Sequence, residues 1–149
     1  IGFLQGFYVQ NNQGSQQSFS VSGEVLDLGV GGTNTLSVGE GYSMLGSPYA
    51  AEVAINDTGL AADAKGGFDA VSADNIIRWD KTNQKYIRYF LLDGTGDGSL
   101  DGYWMNVNDG WVSGGTTDTI ALGEGFLYER RDGEGNMDWE EIQQYDLDL

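Results

Sequence analysis

The residues best spaced for chemistry lie in Asp93-Gly94-Thr95-Gly96-Asp97-Gly98-Ser99-Leu100-Asp101. With Asp93 as the first position of a calcium loop, oxygen-bearing side chains fall at every second position, on Asp93, Thr95, Asp97, Ser99 and Asp101. Glycine holds the sixth position and an apolar residue the eighth, as a coiled cation-binding loop requires. Two positions depart from that pattern: Thr95 replaces an acid, and Trp104 stands where a bidentate Glu would close the shell. The same letters also spell a solvated, metal-free turn between Leu92 and Tyr103, so Ca2+ is an expectation that the loop geometry must test. A second acidic stretch, Asp132-Gly133-Glu134-Gly135-Asn136-Met137-Asp138, lacks the sixth-position glycine and reads as a long hairpin tip.

Acid–base catalysis by paired carboxylates is the next possibility, because Glu40 and Glu124 occupy matching positions of an internal repeat. Each lies between two glycines, in a turn that should face water, whereas raising a carboxyl toward neutrality needs burial or a close like charge. No catalytic residue is therefore expected. Four tryptophans offer stacking surfaces instead. Trp79 and Trp139 read as core residues. Trp104 and Trp111, beside glycine-rich turns, read as candidates for stacking on an extracellular glycan.

Ile1-Gly2-Phe3-Leu4-Gln5-Gly6-Phe7-Tyr8-Val9 is an apolar segment followed by the polar run Gln10 to Ser18. A terminal apolar strand on a flexible connector can serve its own sheet or add to a neighbour's open edge. Under the second reading Ile1, Phe3, Leu4, Phe7 and Val9 are the assembly residues and copies of the same chain are the partners. The tail Tyr145 to Leu149 alternates as well and offers an acceptor edge.

The balance of 149 residues bounds these options. With 23 acidic and 7 basic side chains, the net charge is −16, which excludes a partner bound by neutralising phosphates and so argues against nucleic acid. Histidine and cysteine are both absent. That removes thiol chemistry, disulfides, Ser-His triads and imidazole or thiolate metal sites, and leaves carboxylate and carbonyl oxygens, which suit calcium. Eighteen aromatics argue against disorder. A chain of this length buries about 70% of its unfolded surface as one domain without staples. No run approaches the ~20 apolar residues of a membrane span. The 24 glycines are roughly twice the usual share; with few lysines and a start at Ile1 that reads as a processed product, they point to a secreted protein acting at the extracellular surface.

The elements that must position these residues have a period of two. Ser18 to Val25 alternates, and Asn75–Trp79 with Lys85–Leu92 forms a hairpin about Asp80 to Gln84. Gly102–Val107 with Gly110–Val112 forms another. Only Tyr49 to Ala64 could hold helix, cut by Gly59, and Pro48 marks a bend or edge. The repeat is the most informative feature. Thr35-Leu36-Ser37-Val38-Gly39-Glu40-Gly41-Tyr42 returns 84 residues later as Thr119-Ile120-Ala121-Leu122-Gly123-Glu124-Gly125-Phe126, identical at four of eight positions. Each copy predicts a strand, a glycine kink and a second strand.

Gly23 to Val25, Thr35 to Gly41, Asp74 to Tyr86 (with Trp79 and Gln84), Gly123 to Phe126 and Trp139 together resemble an uncharacterised group of bacterial secreted, glycine-rich β domains. The resemblance implies export and a non-catalytic surface role, and brings no catalytic residues with it. The expectation is thus an all-β protein: an antiparallel β-sandwich, Ig-like or jelly-roll-like, with long Gly/Asp-rich loops and at most one short helix. A terminal strand and tether (1–17) precede the single domain (18–149). Its expected function is that of a secreted structural subunit of a filament or surface layer, built by N-terminal strand addition. The alternative is a monomeric carbohydrate-binding module.

Overall fold

The computed structural model describes residues 6–7, 9–18, 27–47, 51–96, 98–108 and 118–143. Nine strands form within them: β1 (Thr33–Val38), β2 (Gly41–Gly46), β3 (Val53–Ala54), β4 (Asn75–Asp80), β5 (Lys85–Leu91), β6 (Trp104–Asn106), β7 (Thr119–Ile120), β8 (Gly125–Arg130) and β9 (Met137–Ile142). A five-stranded sheet runs β2-β8-β4-β5-β6, and β1–β9 and β3–β7 make two-stranded ribbons; every strand pair is antiparallel. The all-β, sandwich-like class read from the sequence is the class observed.

The period of two becomes a layered core. Along β9, Met137, Trp139 and Glu141 are buried while Asp138, Glu140 and Ile142 face outward. Phe126, Tyr128 and Arg130 do the same on β8. These inward faces meet in one cluster that joins Val38 and Leu45 to Ile76, Tyr89, Trp104, Phe126, Tyr128 and Trp139. Edge-to-face ring pairs, Phe126–Trp139 at 6.1 Å and Trp104–Tyr128 at 6.3 Å, sit inside it. Each fully buried Leu, Ile or Phe side chain of this kind stabilises by about 1.5–3 kcal/mol.

The repeat organises the chain. β1 and β2 are joined at Gly39-Glu40, and β7 and β8 at 121–124. The second strands of the two copies pair directly, Gly41 opposite Arg130 and Gly46 opposite Gly125. Meanwhile β1 pairs β9, with Val38 opposite Met137, so the β1–β2 and β8–β9 arms run as one ribbon that turns a corner between layers. The hairpin β4–β5 matches the expectation, its turn held by Asp80 Oδ1, which accepts the N–H groups of Thr82 (2.9 Å) and Asn83 (3.1 Å).

Several expectations need correction or lie beyond view. No α-helix forms over 51–64. Val53–Ala54 is a strand, and Ile55–Asp57 and Gly59–Ala62 are 3-10 turns. Gly59 lies so close to the Glu140 carbonyl of β9 that no side chain fits there. Trp79 and Trp104 exchange the places expected of them. Trp79 is 38% exposed because β8 pairs with β4 only along Asn75–Ile77, which leaves the outer end of β4 uncovered. Trp104 is 0% exposed, opposite Leu91 in the sheet, its backbone N–H donating to Asn56 Oδ1 at 2.8 Å. A buried indole cannot stack on a sugar, so Trp104 is withdrawn as a ligand residue. Trp139 is buried as expected. The strand over 18–25, Pro48, Trp111 with its arm of the hairpin, and the tail 145–149 lie outside the described residues.

Candidate functional site

A groove of about 690 Å³ opens where the start of β2, the end of β8 and the 65–72 loop meet. One wall is built by glycines. Gly66 packs against the side chain of Asp93, and a Cβ on Gly67 would meet Ser72 Oγ at 2.5 Å. Gly67 N–H donates to the Leu91 carbonyl (3.0 Å) and Asp93 N–H to the Gly67 carbonyl (3.1 Å), so this strip lies flush against the end of β5. Chain this tight leaves the next side chain no room beneath it. Phe68 is 58% exposed, its ring edge over Gly94. Asp69 Oδ1 accepts the N–H groups of Val71 (3.0 Å) and Ser72 (2.8 Å), a turn that lifts Val71 to 81% exposure. Hydrogen bonds from Ser72 hold the Asp69 carboxyl below the usual carboxylate range. Across the groove stands Tyr42 on β2, 61% exposed and opposite Glu129 in register.

The floor is polar and fully tied. Asp74 is buried; its Oδ2 accepts from Lys65 N–H (2.9 Å), the Tyr128 hydroxyl (2.7 Å) and Arg130 Nη1 (3.1 Å), and its Oδ1 from Arg131 N–H (2.8 Å). A buried carboxylate persists only with partners of this number and kind. Burial and the adjacent Asp74 charge push the Tyr128 hydroxyl pKa up, so it remains a donor. Arg130 also reaches the carbonyls of Asp63, Glu134 and Gly135. Arg131 donates to the carbonyls of Ala73 and Ala70 and to Glu129 Oε1. Lys65 pairs with Glu134 at 2.8 Å. Each cation lining the groove is thus already held, while Asp93 and Asp132 face solvent. This electrostatics repels anions and leaves carboxylate acceptors at the rim.

Four of the five expected calcium residues, Asp93, Thr95, Ser99 and Asp101, fall within the described residues. Asp101 Oδ1 accepts from both Thr95 N–H (3.2 Å) and Thr95 Oγ1–H (2.7 Å), closing the loop on itself. Gly94 and Gly96 take left-handed backbone (φ 82° and 72°), which only glycine adopts readily. Asp93 is exposed at the groove wall, Ser99 is exposed, and Asp97 lies outside the described residues. Among the described residues no group of three or more carboxylates converges on a point where a metal could sit.

Glu40 and Glu124 are brought to different tasks. Glu40 Oε1 accepts the N–H groups of Gly133 and Gly135, both at 2.8 Å, and so pins the β8–β9 connection, which is not the expected hairpin tip, because β8 pairs with β2 and β4 while β9 pairs with β1 in another sheet. Glu124 corrects the expectation that it faces water. Its side chain is 9% exposed, bound by Arg78 Nε (3.1 Å) and Nη2 (3.3 Å) and by Ala121 N–H (3.1 Å). Of the assembly residues, Phe7 and Val9 are exposed, and Ile1, Phe3 and Leu4 lie outside the described residues. Between them, Gly6 N–H donates to the Met44 carbonyl of the same chain at 3.0 Å.

The sequence reading missed the groove residues Tyr42, Phe68 and Val71. The signal for Phe68 and Val71 was present: Gly66-Gly67 ahead of an aromatic, then Asp69 three residues before Ser72, spells a tight strip followed by a side-chain-capped turn. Comparison with family models, with curated proteins and with solved structures yields no match to this chain.

Proposed function

We propose that this protein is a non-catalytic carbohydrate-binding module acting outside the cell, and that its ligand is an uncharged or amino-bearing glycan chain lying in the Tyr42–Phe68 groove. The observation that carries this reading is the display of two exposed aromatic rings beside carboxylate acceptors. Phe68 lies with its ring edge over Gly94, and Tyr42 is exposed on β2. Aromatic faces pack on the C–H faces of sugar rings, and exposed carboxylates such as Asp93 and Asp132 accept from hydroxyls. The groove volume falls within the range of small-molecule sites. Acidic glycans are disfavoured, because Lys65, Arg130 and Arg131 are consumed by internal partners.

Calorimetric titration against neutral, amino and acidic oligosaccharides tests the reading. Binding is expected with the first two classes and not the third. Phe68→Ala and Tyr42→Ala, both on exposed side chains, should each weaken it about fivefold, the loss of a ring contact worth about 1 kcal/mol, while the melting temperature holds. No binding to any class, or binding unchanged in both variants, overturns it.

A further inference from the structure

We infer that the Gly6 segment of one copy docks on β2 of a second copy, so that this chain assembles with itself by strand exchange. β2 is an edge strand of the five-stranded sheet, and an edge with free backbone groups is where an extended segment adds. The seat is specific. Gly46 and Gly125 face each other across β2 and β8; a Cβ on either would stand 3.9 Å and 3.8 Å from the Gly6 Cα. A Cβ on Gly6 itself would lie 2.6 Å from the Leu45 carbonyl oxygen and 2.8 Å from Met44 Cγ. Gly6 therefore lets one backbone cross another at a distance no side chain there permits, Gly46 and Gly125 lie in ordinary contact beneath it, and the Gly6–Met44 hydrogen bond fixes the register.

What seats the segment within one chain seats it equally between two. The connector allows both. Residues 9–18 are exposed throughout, and the hydrogen bonds of Asn11, Gln13 and Gln17 stay within that stretch. Ten residues at about 3.3 Å each reach about 33 Å, enough to cross to a neighbour. Phe7 and Val9 flank the seat as exposed apolar side chains that gain by being covered. The charge of −16 opposes contact between copies, so exchange must strengthen as salt screens it. Docking within one chain competes at an effective concentration of about millimolar, so exchange needs high protein concentration or transient opening of the seat.

The test is sedimentation of the full chain over a wide concentration range, at low and high salt, after warming to just below the unfolding transition and cooling. Oligomers that grow with concentration and with salt are expected. Gly6→Val, which unseats the segment within a chain and between chains alike, should remain folded as a single particle, with at most the small loss in melting temperature that undocking the segment brings. Mixing two fluorescently labelled populations should give energy transfer in the wild type and none in Gly6→Val. A wild type that stays single under every condition, or a Gly6→Val protein that assembles as well as the wild type, overturns the inference.

Discussion

The two Gly-Glu-Gly corners share their letters and differ in what they do. In the first, the left-handed residue is the last of the three, Gly41 (φ 83°), and Glu40 reaches out across the fold to Gly133 and Gly135. In the second, the left-handed residue is the first, Gly123 (φ 71°), and Glu124 turns back to its own Ala121 N–H and is held by Arg78. The glycine that takes the positive φ decides where the intervening carboxylate points. One copy staples a distant turn and the other closes its own, which is how a short repeat yields two different joints.

The largest effect that separates them should come from the buried side. Glu124→Ala leaves the Arg78 guanidinium, 19% exposed, without its bidentate partner, a loss of about 2–3 kcal/mol. In a chain of this length that corresponds to a fall in melting temperature of about 4–12 °C, read by calorimetry. Glu40→Ala removes two hydrogen bonds that an exposed carboxylate accepts from backbone N–H groups and should cost about 1 kcal/mol. Equal losses from the two substitutions would show that the corners are energetically alike despite their geometry.

The same contrast explains what could be read from the sequence. Strand-like runs about a polar turn exposed the β4–β5 hairpin, and the matched octets exposed both corners and the start of β8, because these are local patterns; β9 was not read as a strand. Which way an aromatic faces is not local. Trp79 and Trp104 sit in similar apolar contexts; one is uncovered because β8 stops pairing at Ile77, the other is buried in the main core against the Tyr128 ring. Nor could the direction of Glu124 be read, since Arg78 lies 46 residues away. The basic residues carried an unread hint. In so acidic a chain a cation is scarce, and five of the seven, Lys65, Arg78, Arg88, Arg130 and Arg131, form ion pairs. Scarcity marks them as structural, and the adjacent Arg130 and Arg131 point straight to the groove floor. Phe68 was overlooked because an exposed ring has no periodicity to betray it.

The smallest and sharpest test exchanges alanine through the corner glycines. Gly41→Ala and Gly123→Ala each force a Cβ into left-handed backbone and should cost about 1 kcal/mol. Their counterparts are not constrained in that way. A Cβ on Gly39 meets Asn136 Oδ1 at 3.5 Å, and one on Gly125 meets the Leu45 carbonyl at 3.5 Å, both ordinary contacts. Gly39→Ala and Gly125→Ala should therefore shift stability by less than about 0.5 kcal/mol. The expected pattern is crossed: the third glycine matters in the first copy and the first glycine in the second. Denaturant titration of the four variants measures it directly, and a pattern that runs the same way in both copies would mean that the two corners turn by one geometry after all.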